Sequence, residues 1–178
     1  MAGRIGARLA LTGLSMVALS SCSLLPNSIT HREPESTHTM QDLCNFPKEF
    51  VTNTFHAQKL EVRPEGPGSP PMDRKLGHGD LCWLTNVSPV VVTAVGMDYS
   101  RTPEHSNPGT TRTWTIDGVP VQEVPSDQHS STNTTGPSIT LKATIDRWTG
   151  TFIFNSDSES TIKAAAEMLV NMVRTLKN

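Results

Sequence analysis

The sequence predicts an α+β domain, in which an antiparallel, meandering β-sheet is flanked by a short N-terminal helix and a C-terminal amphipathic helix. Three observations support this fold class. Runs of alternating or β-branched residues recur between residues 60 and 154, an Asp-Gly turn joins two of these runs, and the C-terminal residues carry apolar side chains at helical spacing. The order of helix, strands and helix is typical of an α+β domain.

The first helix is predicted to follow Asn45, close to the start of a domain that we expect to begin at Asp42. Asn45 is a residue type that caps helices, and Pro47 is tolerated in a first helical turn. Phe46, Phe50 and Val51 would then share an apolar face.

Three strands are expected in the next part of the chain. A short strand at residues 60–62 precedes a loop over residues 64–79 that is rich in proline and glycine. Residues 81–87 and 90–99 form two longer strands with Pro89 between them. The second of these strands is apolar on both faces, which predicts a position inside the sheet.

A hairpin is the strongest local prediction. A polar loop over residues 100–110 leads to a strand at residues 111–116, and a second strand covers residues 119–124. The dipeptide Asp117-Gly118 between them favours a tight two-residue turn.

The last strands and the last helix follow another polar loop, at residues 125–137. Residues 139–145 alternate in strand register and residues 151–154 return, with Trp148 and Gly150 at the expected bend. Asp157 or Ser158 can cap the final helix. The apolar residues of this helix repeat at helical spacing: Ile162, Ala166, Leu169, Val173 and Leu176.

The N-terminal segment has the pattern of a signal peptide. Arg4 and Arg8 precede an apolar run over residues 9–19, which is too short to cross a bilayer as a helix. The run ends in Leu19-Ser20-Ser21-Cys22, which resembles the lipobox of bacterial lipoproteins. Residues 1–21 are therefore predicted to be removed and Cys22 to be lipidated. The alternative is an ordinary cleaved signal with an incidental cysteine.

A polar tether is expected between the lipid and the domain. Residues 22–41 have little apolar periodicity and cannot bury much surface. The predicted organisation is therefore a signal peptide at 1–21, a lipidated tether at 22–41 and a single extracytoplasmic domain at 42–178. The expected location is the cell membrane, on its extracytoplasmic face.

The charge of the chain argues against nucleic acid as a partner. Removal of residues 1–21 takes away two arginines and no acidic residue, which leaves 13 basic and 17 acidic residues and a formal charge of −4. Affinity for nucleic acid comes largely from lysine and arginine against phosphate. The mature chain carries no basic cluster of that kind.

The two remaining cysteines, Cys44 and Cys82, are predicted to form a disulfide. Disulfides persist in exported proteins, where an even number of cysteines indicates pairing. The alternative is two reduced cysteines in the core.

Several short motifs together resemble a family of actinobacterial, mycobacterial-type cell-envelope lipoproteins. They are Asp42-Leu43-Cys44-Asn45 at a helix start, Cys82-Trp83 opening a strand, Ile116-Asp117-Gly118-Val119 in a hairpin, and the closing amphipathic helix. This family is a domain-of-unknown-function group with a Cys…Cys-Trp motif. The resemblance implies the same fold and a Cys44–Cys82 disulfide. It implies no activity, and some members carry a second cysteine pair that this chain lacks.

No recognised catalytic, cofactor-binding or phosphate-binding motif occurs in the sequence. His78, Asp80 and Cys82 would share one face of a strand and are zinc-ligand types. The expected disulfide of Cys82 and the absence of an evident fourth ligand argue against a metal. We therefore expect no catalytic residue, metal or cofactor.

Three tryptophans are candidates for a ligand groove. Trp83, Trp114 and Trp148 each lie in or beside a strand, and the bend position of Trp148 favours it most. The alternative is that they are core residues.

The sequence thus predicts a lipid-anchored, non-enzymatic module that binds an envelope protein or other envelope component through its loops. Three other functions stay open at this point. They are a carrier of lipid or another apolar ligand, a phage-encoded superinfection-exclusion lipoprotein, and an enzyme that acts on the cell wall.

Overall fold

The computed structural model describes residues 36–65, 70–100, 112–125 and 138–177. The predicted signal peptide, Cys22 and the first part of the tether lie outside these residues. So do most of the loops that the sequence predicts at residues 100–110 and 125–137.

Three helices and seven strands are present in the described residues. In chain order they are α1 (Met40–Asn45), α2 (Lys48–Phe55), β1 (Glu61–Glu65), β2 (Asp80–Asn86), β3 (Val91–Tyr99), β4 (Arg112–Ile116), β5 (Val119–Pro125), β6 (Ser138–Ile145), β7 (Trp148–Asn155) and α3 (Glu159–Leu176).

The strands form one antiparallel sheet in the order β1-β2-β3-β7-β6-β5-β4. The predicted α+β fold class is confirmed. The sheet consists of two meanders, β1 to β3 and β4 to β7, which meet where β3 pairs with β7. Val95 lies opposite Phe152 in this central pairing. The predicted interior position of β3 is therefore also confirmed.

The helices cover one face of the sheet. α3 packs against β6 and β7, while α1 packs against β2. Phe50 of α2 contacts Phe152 of β7 edge to face, with ring centroids 5.8 Å apart. Side chains beneath the helices, such as Leu84, Val95 and Leu141, are fully buried. The opposite face carries no helix among the described residues.

The fold begins earlier than the sequence suggests. Ser36 is buried, and its hydroxyl donates a hydrogen bond of 2.6 Å to the carbonyl of Leu176. The helix predicted after Asn45 is present as α2, with Pro47 as its N-cap. The sequence analysis did not predict α1, which begins at Met40 because Thr39 caps it. The side chain of Thr39 accepts a hydrogen bond from Asp42 N–H, and the Asp42 carboxylate accepts one from Thr39 N–H. This reciprocal pair satisfies donors at the helix start.

The second half of the predicted loop 64–79 packs along α1. The backbone N–H groups of Met40 and Gln41 donate to the carbonyls of Arg74 and Met72, at 2.9 and 2.8 Å. These are first-turn groups that have no partner within a helix. Leu76 of the same loop is fully buried in the core.

The bend between β6 and β7 lies at Asp146 and Arg147, which have φ angles of 50° and 72°. Two consecutive positive φ values are typical of a tight hairpin turn. Trp148 and Gly150, expected at the bend, instead belong to β7. A Cβ on Gly150 would lie 2.3 Å from Val173 Cγ2 and 3.0 Å from Leu169 Cδ1. The missing side chain allows α3 to approach the sheet.

We predict that Gly150→Ala destabilises the domain, because α3 or β7 must move to admit the methyl group. Such overpacking costs about 1–3 kcal/mol. The measurement is the free energy of unfolding in denaturant. Gly77→Ala is the matched control, since its Cβ would meet nothing closer than Arg74 Nη1 at 4.0 Å. Equal stability of the two variants would contradict the tight approach at Gly150.

A second prediction concerns the cap of α1. The pKa of Asp42 is lowered from its ordinary value of 3.8, chiefly because its carboxylate accepts a hydrogen bond from the Thr39 N–H. Desolvation of the carboxylate acts in the opposite direction, while the Thr39 hydroxyl and His38 lower the pKa further. A lowered acid pKa stabilises the folded state above the unfolded value, and this stabilisation is lost as pH falls through the folded pKa.

Asp42→Asn should therefore cost about 0.3–1 kcal/mol at neutral pH, the usual range for an acid at a helix N-terminus. The difference from the unsubstituted protein should vanish below the folded pKa of Asp42. Thermal unfolding at pH values from about 2 to 7 measures the cost at neutral pH and the pH at which the difference disappears. The exposed Asp73, substituted by Asn, is the control for loss of one carboxylate. A difference that did not change with pH would rule out the capping role.

Candidate binding surface

The apex of the β2–β3 hairpin carries two exposed valines. Val87 is 83% exposed and Val90 is 48% exposed, and they are the exposed large apolar residues of the described chain. Turns favour glycine, proline, asparagine, aspartate and serine, so the central residues Ser88 and Pro89 are usual here and the flanking valines are not. The β4–β5 and β6–β7 turns follow this rule, since both begin with aspartate. We call residues 87–90 the apolar tip.

A buried asparagine holds the apolar tip in place. Asn86 is the last residue of β2 and is 5% exposed. Its Nδ2 donates to the carbonyl of Pro89 at 2.8 Å, and its Oδ1 accepts from the N–H of Lys59 at 3.0 Å. One side chain thus joins the tip to the segment before β1. The valines are therefore presented by a hydrogen-bonded turn.

A groove of about 210 Å³ lies beside the tip, between the end of α2 and the start of β3. Its lining combines apolar and polar residues: Thr54, Phe55 and His56 from α2 and its C-cap, Pro89 to Thr93 from the tip and β3, and Asn155 from β7. Phe55 contacts Phe50 and Phe154, with ring centroids 6.0 and 6.3 Å apart. The groove therefore adjoins the aromatic cluster of the core.

Two other depressions are more polar. One of about 370 Å³ lies on the other side of the tip and is lined by Gln58, Lys59, Glu61, Asn86, Val87 and Ser88. A larger one of about 520 Å³ lies between α3 and the β4–β5 hairpin. Arg174 forms an ion pair of 3.0 Å with Asp117 across it. Two of the four charged side chains that line this depression are thus paired with each other.

The three tryptophans do not form a common groove. Trp148 is 3% exposed, and its ring centroid is 5.3 Å from that of Tyr99, so the favoured groove residue is a core residue. Trp83 faces away from the helices and donates its indole N–H to the Glu65 carboxylate. Trp114 lies on β4, at the far edge of the sheet. Its indole N–H donates to Glu123 at 3.0 Å.

The three zinc-type side chains of the sequence analysis have separate partners. Cys82 is bonded to Cys44, and Asp80 pairs with Arg74. His78 lies 2.6 Å from Asp98. Among the described residues, no group of three or more His, Cys, Asp or Glu is arranged to hold a metal ion.

The predicted disulfide between Cys44 and Cys82 is present, with Cα atoms 5.4 Å apart. It connects α1 to β2, one of the two strands that carry the apolar tip, and both cysteines are fully buried.

The lipid-carrier hypothesis needs a cavity between the helices and the sheet. Around Gly150 the side chains of α3 leave no room for an added methyl group. The grooves described above lie at the rim of the domain instead.

Sequence reasoning missed the apolar tip, although a signal was present. Val87-Ser88-Pro89-Val90 places two valines in a turn, on either side of the usual turn residues serine and proline. Because apolar and β-branched residues continue through residues 81–87 and 90–99, both valines are assigned to strands and not to the turn between them. Nothing in the local sequence indicates that Phe55 and Asn155 line the groove, since their position beside the tip depends on the tertiary structure.

No family model, curated protein or solved structure matches this chain. The resemblance to actinobacterial lipoproteins therefore remains a prediction. No helix within the described ranges is long and apolar enough to cross a membrane.

Removal of the disulfide should destabilise the domain substantially. The cysteines are 38 residues apart, and closing a loop of that length contributes about 4 kcal/mol in the chain-entropy model. We predict a loss of this order for the double variant Cys44→Ala/Cys82→Ala in denaturant unfolding. Chemical reduction of the unsubstituted protein is the control, because it breaks the bond without removing buried sulfur. A loss below about 1 kcal/mol on reduction would contradict the prediction.

Proposed function

We propose that this protein is a lipid-anchored, non-enzymatic binding module of the cell envelope, and that the apolar tip and its groove form the contact surface. The observation that carries the proposal is the exposure of Val87 and Val90, at 83% and 48%. Full burial of a valine stabilises by about 1.5 kcal/mol or more. Burial of these two valines against a partner would therefore contribute favourably to the free energy of binding.

The rigid support of the tip favours binding over incidental exposure. Asn86 fixes the turn through both its amide nitrogen and its amide oxygen. β2 is tied to α1 through the disulfide. A surface held in one conformation loses little entropy when it binds.

The lipid anchor is the second part of the proposal. It is supported by Arg4, Arg8, the apolar run over residues 9–19 and the lipobox-like Leu19-Ser20-Ser21-Cys22. A diacylated cysteine supplies two acyl chains, enough for stable membrane attachment. Anchoring would confine the binding surface to the extracytoplasmic side of the membrane.

Lipidation is tested by intact mass spectrometry after expression of the full chain in an actinobacterial host. We expect a mature N-terminus at Cys22 with added acyl mass, and recovery in the membrane fraction. Cys22→Ala should remove the acyl mass and abolish membrane retention. An unmodified Cys22 at the mature N-terminus would refute the anchor and leave the binding surface to be judged separately.

Binding at the tip is tested by photo-crosslinking in intact cells. A photoreactive residue replaces Val87, and the control carries it at the exposed Thr113 of β4. We expect a discrete adduct from position 87 that Val90→Ser weakens, and no such adduct from position 113. Identical adduct patterns from both positions would contradict a specific surface at the tip.

A further inference from the structure

We propose that the free edge of β4 pairs with the same edge of a second copy of this chain, so that the two sheets join into one antiparallel sheet across a two-fold axis. β4 and β1 are the outer strands of the sheet, so this surface lies away from the apolar tip between β2 and β3. The proposal goes beyond the proposed function and does not depend on it.

The outer edge of β4 is open among the described residues, where β4 pairs with β5 alone. An outer strand presents a row of backbone N–H and C=O groups to which another strand can bond. Arg112, Thr113 and Thr115 are exposed, and the turn and loop hydrogen bonds of the described ranges use no backbone group of β4. The edge can therefore accept a further strand.

The β4–β5 turn determines which residues of β4 face outward. Ile116 lies opposite Val119 and closes the two-residue turn, so its backbone groups bond to β5. The direction of hydrogen bonding alternates along an antiparallel strand. Trp114 therefore also bonds to β5, whereas the N–H and C=O groups of Thr113 and Thr115 point to the free edge.

The two outer strands differ in how well they resist pairing. β1 carries three exposed charged residues, and its Pro64 has no N–H to donate: the charged residues are Glu61, Arg63 and Glu65. Charged residues and proline protect outer strands from pairing with another chain. β4 contains no proline, and its one charged residue, Arg112, lies at its first position. Of the two edges, that of β4 is therefore the one suited to pairing.

A second copy fits this edge because the edge is complementary to itself. If Trp114 lies opposite Trp114 of the second copy, Thr113 of each copy lies opposite Thr115 of the other. The two threonine pairs then each exchange two backbone hydrogen bonds, which uses every outward group of β4. Facing threonine pairs and aromatic pairs both stabilise antiparallel strands.

The charges at the two ends of β4 also favour an antiparallel pair. Arg112 at its start is ion-paired with Glu159 at 2.7 Å, and Asp117 just after its end is ion-paired with Arg174 at 3.0 Å. Antiparallel pairing brings the start of one β4 to the end of the other, which places Arg112 beside Asp117 of the second copy. Parallel pairing would instead bring like charges together, which is unfavourable.

The contact is small, so the dimer is expected to form reversibly. β4 has five residues, whereas stable interfaces use about 20–30 residues on each side. Covalent trapping is therefore the appropriate measurement.

Cysteine trapping tests the register in the full chain. Two copies with different C-terminal tags, one with Thr113→Cys and the other with Thr115→Cys, are co-expressed and oxidised with copper phenanthroline. Facing residues of a hydrogen-bonded pair have Cα atoms about 5.5 Å apart, within reach of a disulfide. Two copies of the same position are diagonal neighbours about 7–8 Å apart. We expect a several-fold excess of the mixed dimer over either same-site dimer.

Thr144→Cys is the matched control, because Thr144 is an exposed threonine on β6, inside the same sheet. It should give no dimer above the level of random collision. Equal yields of mixed and same-site dimers would overturn the proposal. So would trapping at Thr144 that is as efficient as trapping at the edge.

A proline variant tests the backbone hydrogen bonds. Thr115→Pro removes an outward N–H and keeps the bonds to β5, since proline is tolerated where the N–H of an outer strand faces solvent. With a photoreactive residue at Thr113, we expect an adduct of two copies. Thr115→Pro should reduce its yield at least about tenfold through the lost hydrogen bonds, and Thr115→Ser should preserve it.

Thermal unfolding shows whether Thr115→Pro is folded, and the cysteine experiment does not require this variant. An adduct with a different protein in place of a second copy, or an unchanged yield in folded Thr115→Pro, would overturn the proposal. The dimer adduct has twice the mass of the chain and should not respond to Val90→Ser, unlike the adduct expected at Val87. Failure of the dimer is therefore distinguished from failure of the proposed binding at the tip.

Discussion

The antiparallel pairing of β3 with β7 is the constraint on which the rest of the structure depends. It joins two meanders, in each of which the paired strands follow one another in the chain, into one sheet. Bringing Val95 opposite Phe152 closes a loop of more than fifty residues, at a cost of about 3–4 kcal/mol. Burying both side chains beneath the helices offsets this cost, since each contributes about 1.5–3 kcal/mol.

The helices depend on this joined sheet. α3 lies across β6 and β7, and Gly150 lets it approach closely enough for Leu169 and Val173 to be fully buried. α1 is too short to be stable alone. It is held by the disulfide to β2, by its Thr39 and Asp42 cap, and by backbone hydrogen bonds from the loop around Arg74. Helix α1 is thus held in place by bonds to neighbouring segments, on a sheet that forms through long-range strand pairing.

The two ends of the sheet differ in chemistry. At the end where Ser36 meets Leu176, the hairpin turns are polar and their aspartates pair with Arg174 and Lys177 of the C-terminal helix region. At the other end, the turn after Asn86 exposes valines beside a groove. Polar turns whose charges are paired are ordinary solvent-facing surface. An apolar turn held by hydrogen bonds instead leaves side chains in water whose burial against a partner would be favourable. This asymmetry is the physical basis for locating the proposed binding surface at the tip.

The sequence by itself determined the features that depend on local chemistry. The Asp117-Gly118 hairpin, the apolar stripe of α3 and the Cys44–Cys82 pair follow from turn preference, helical periodicity and cysteine count. Only the tertiary structure decided how the two meanders join, because β3–β7 pairing connects residues far apart in the chain. It also placed Trp148 in the core, Gly150 beneath α3 and Phe55 beside the tip, since each depends on what packs against it.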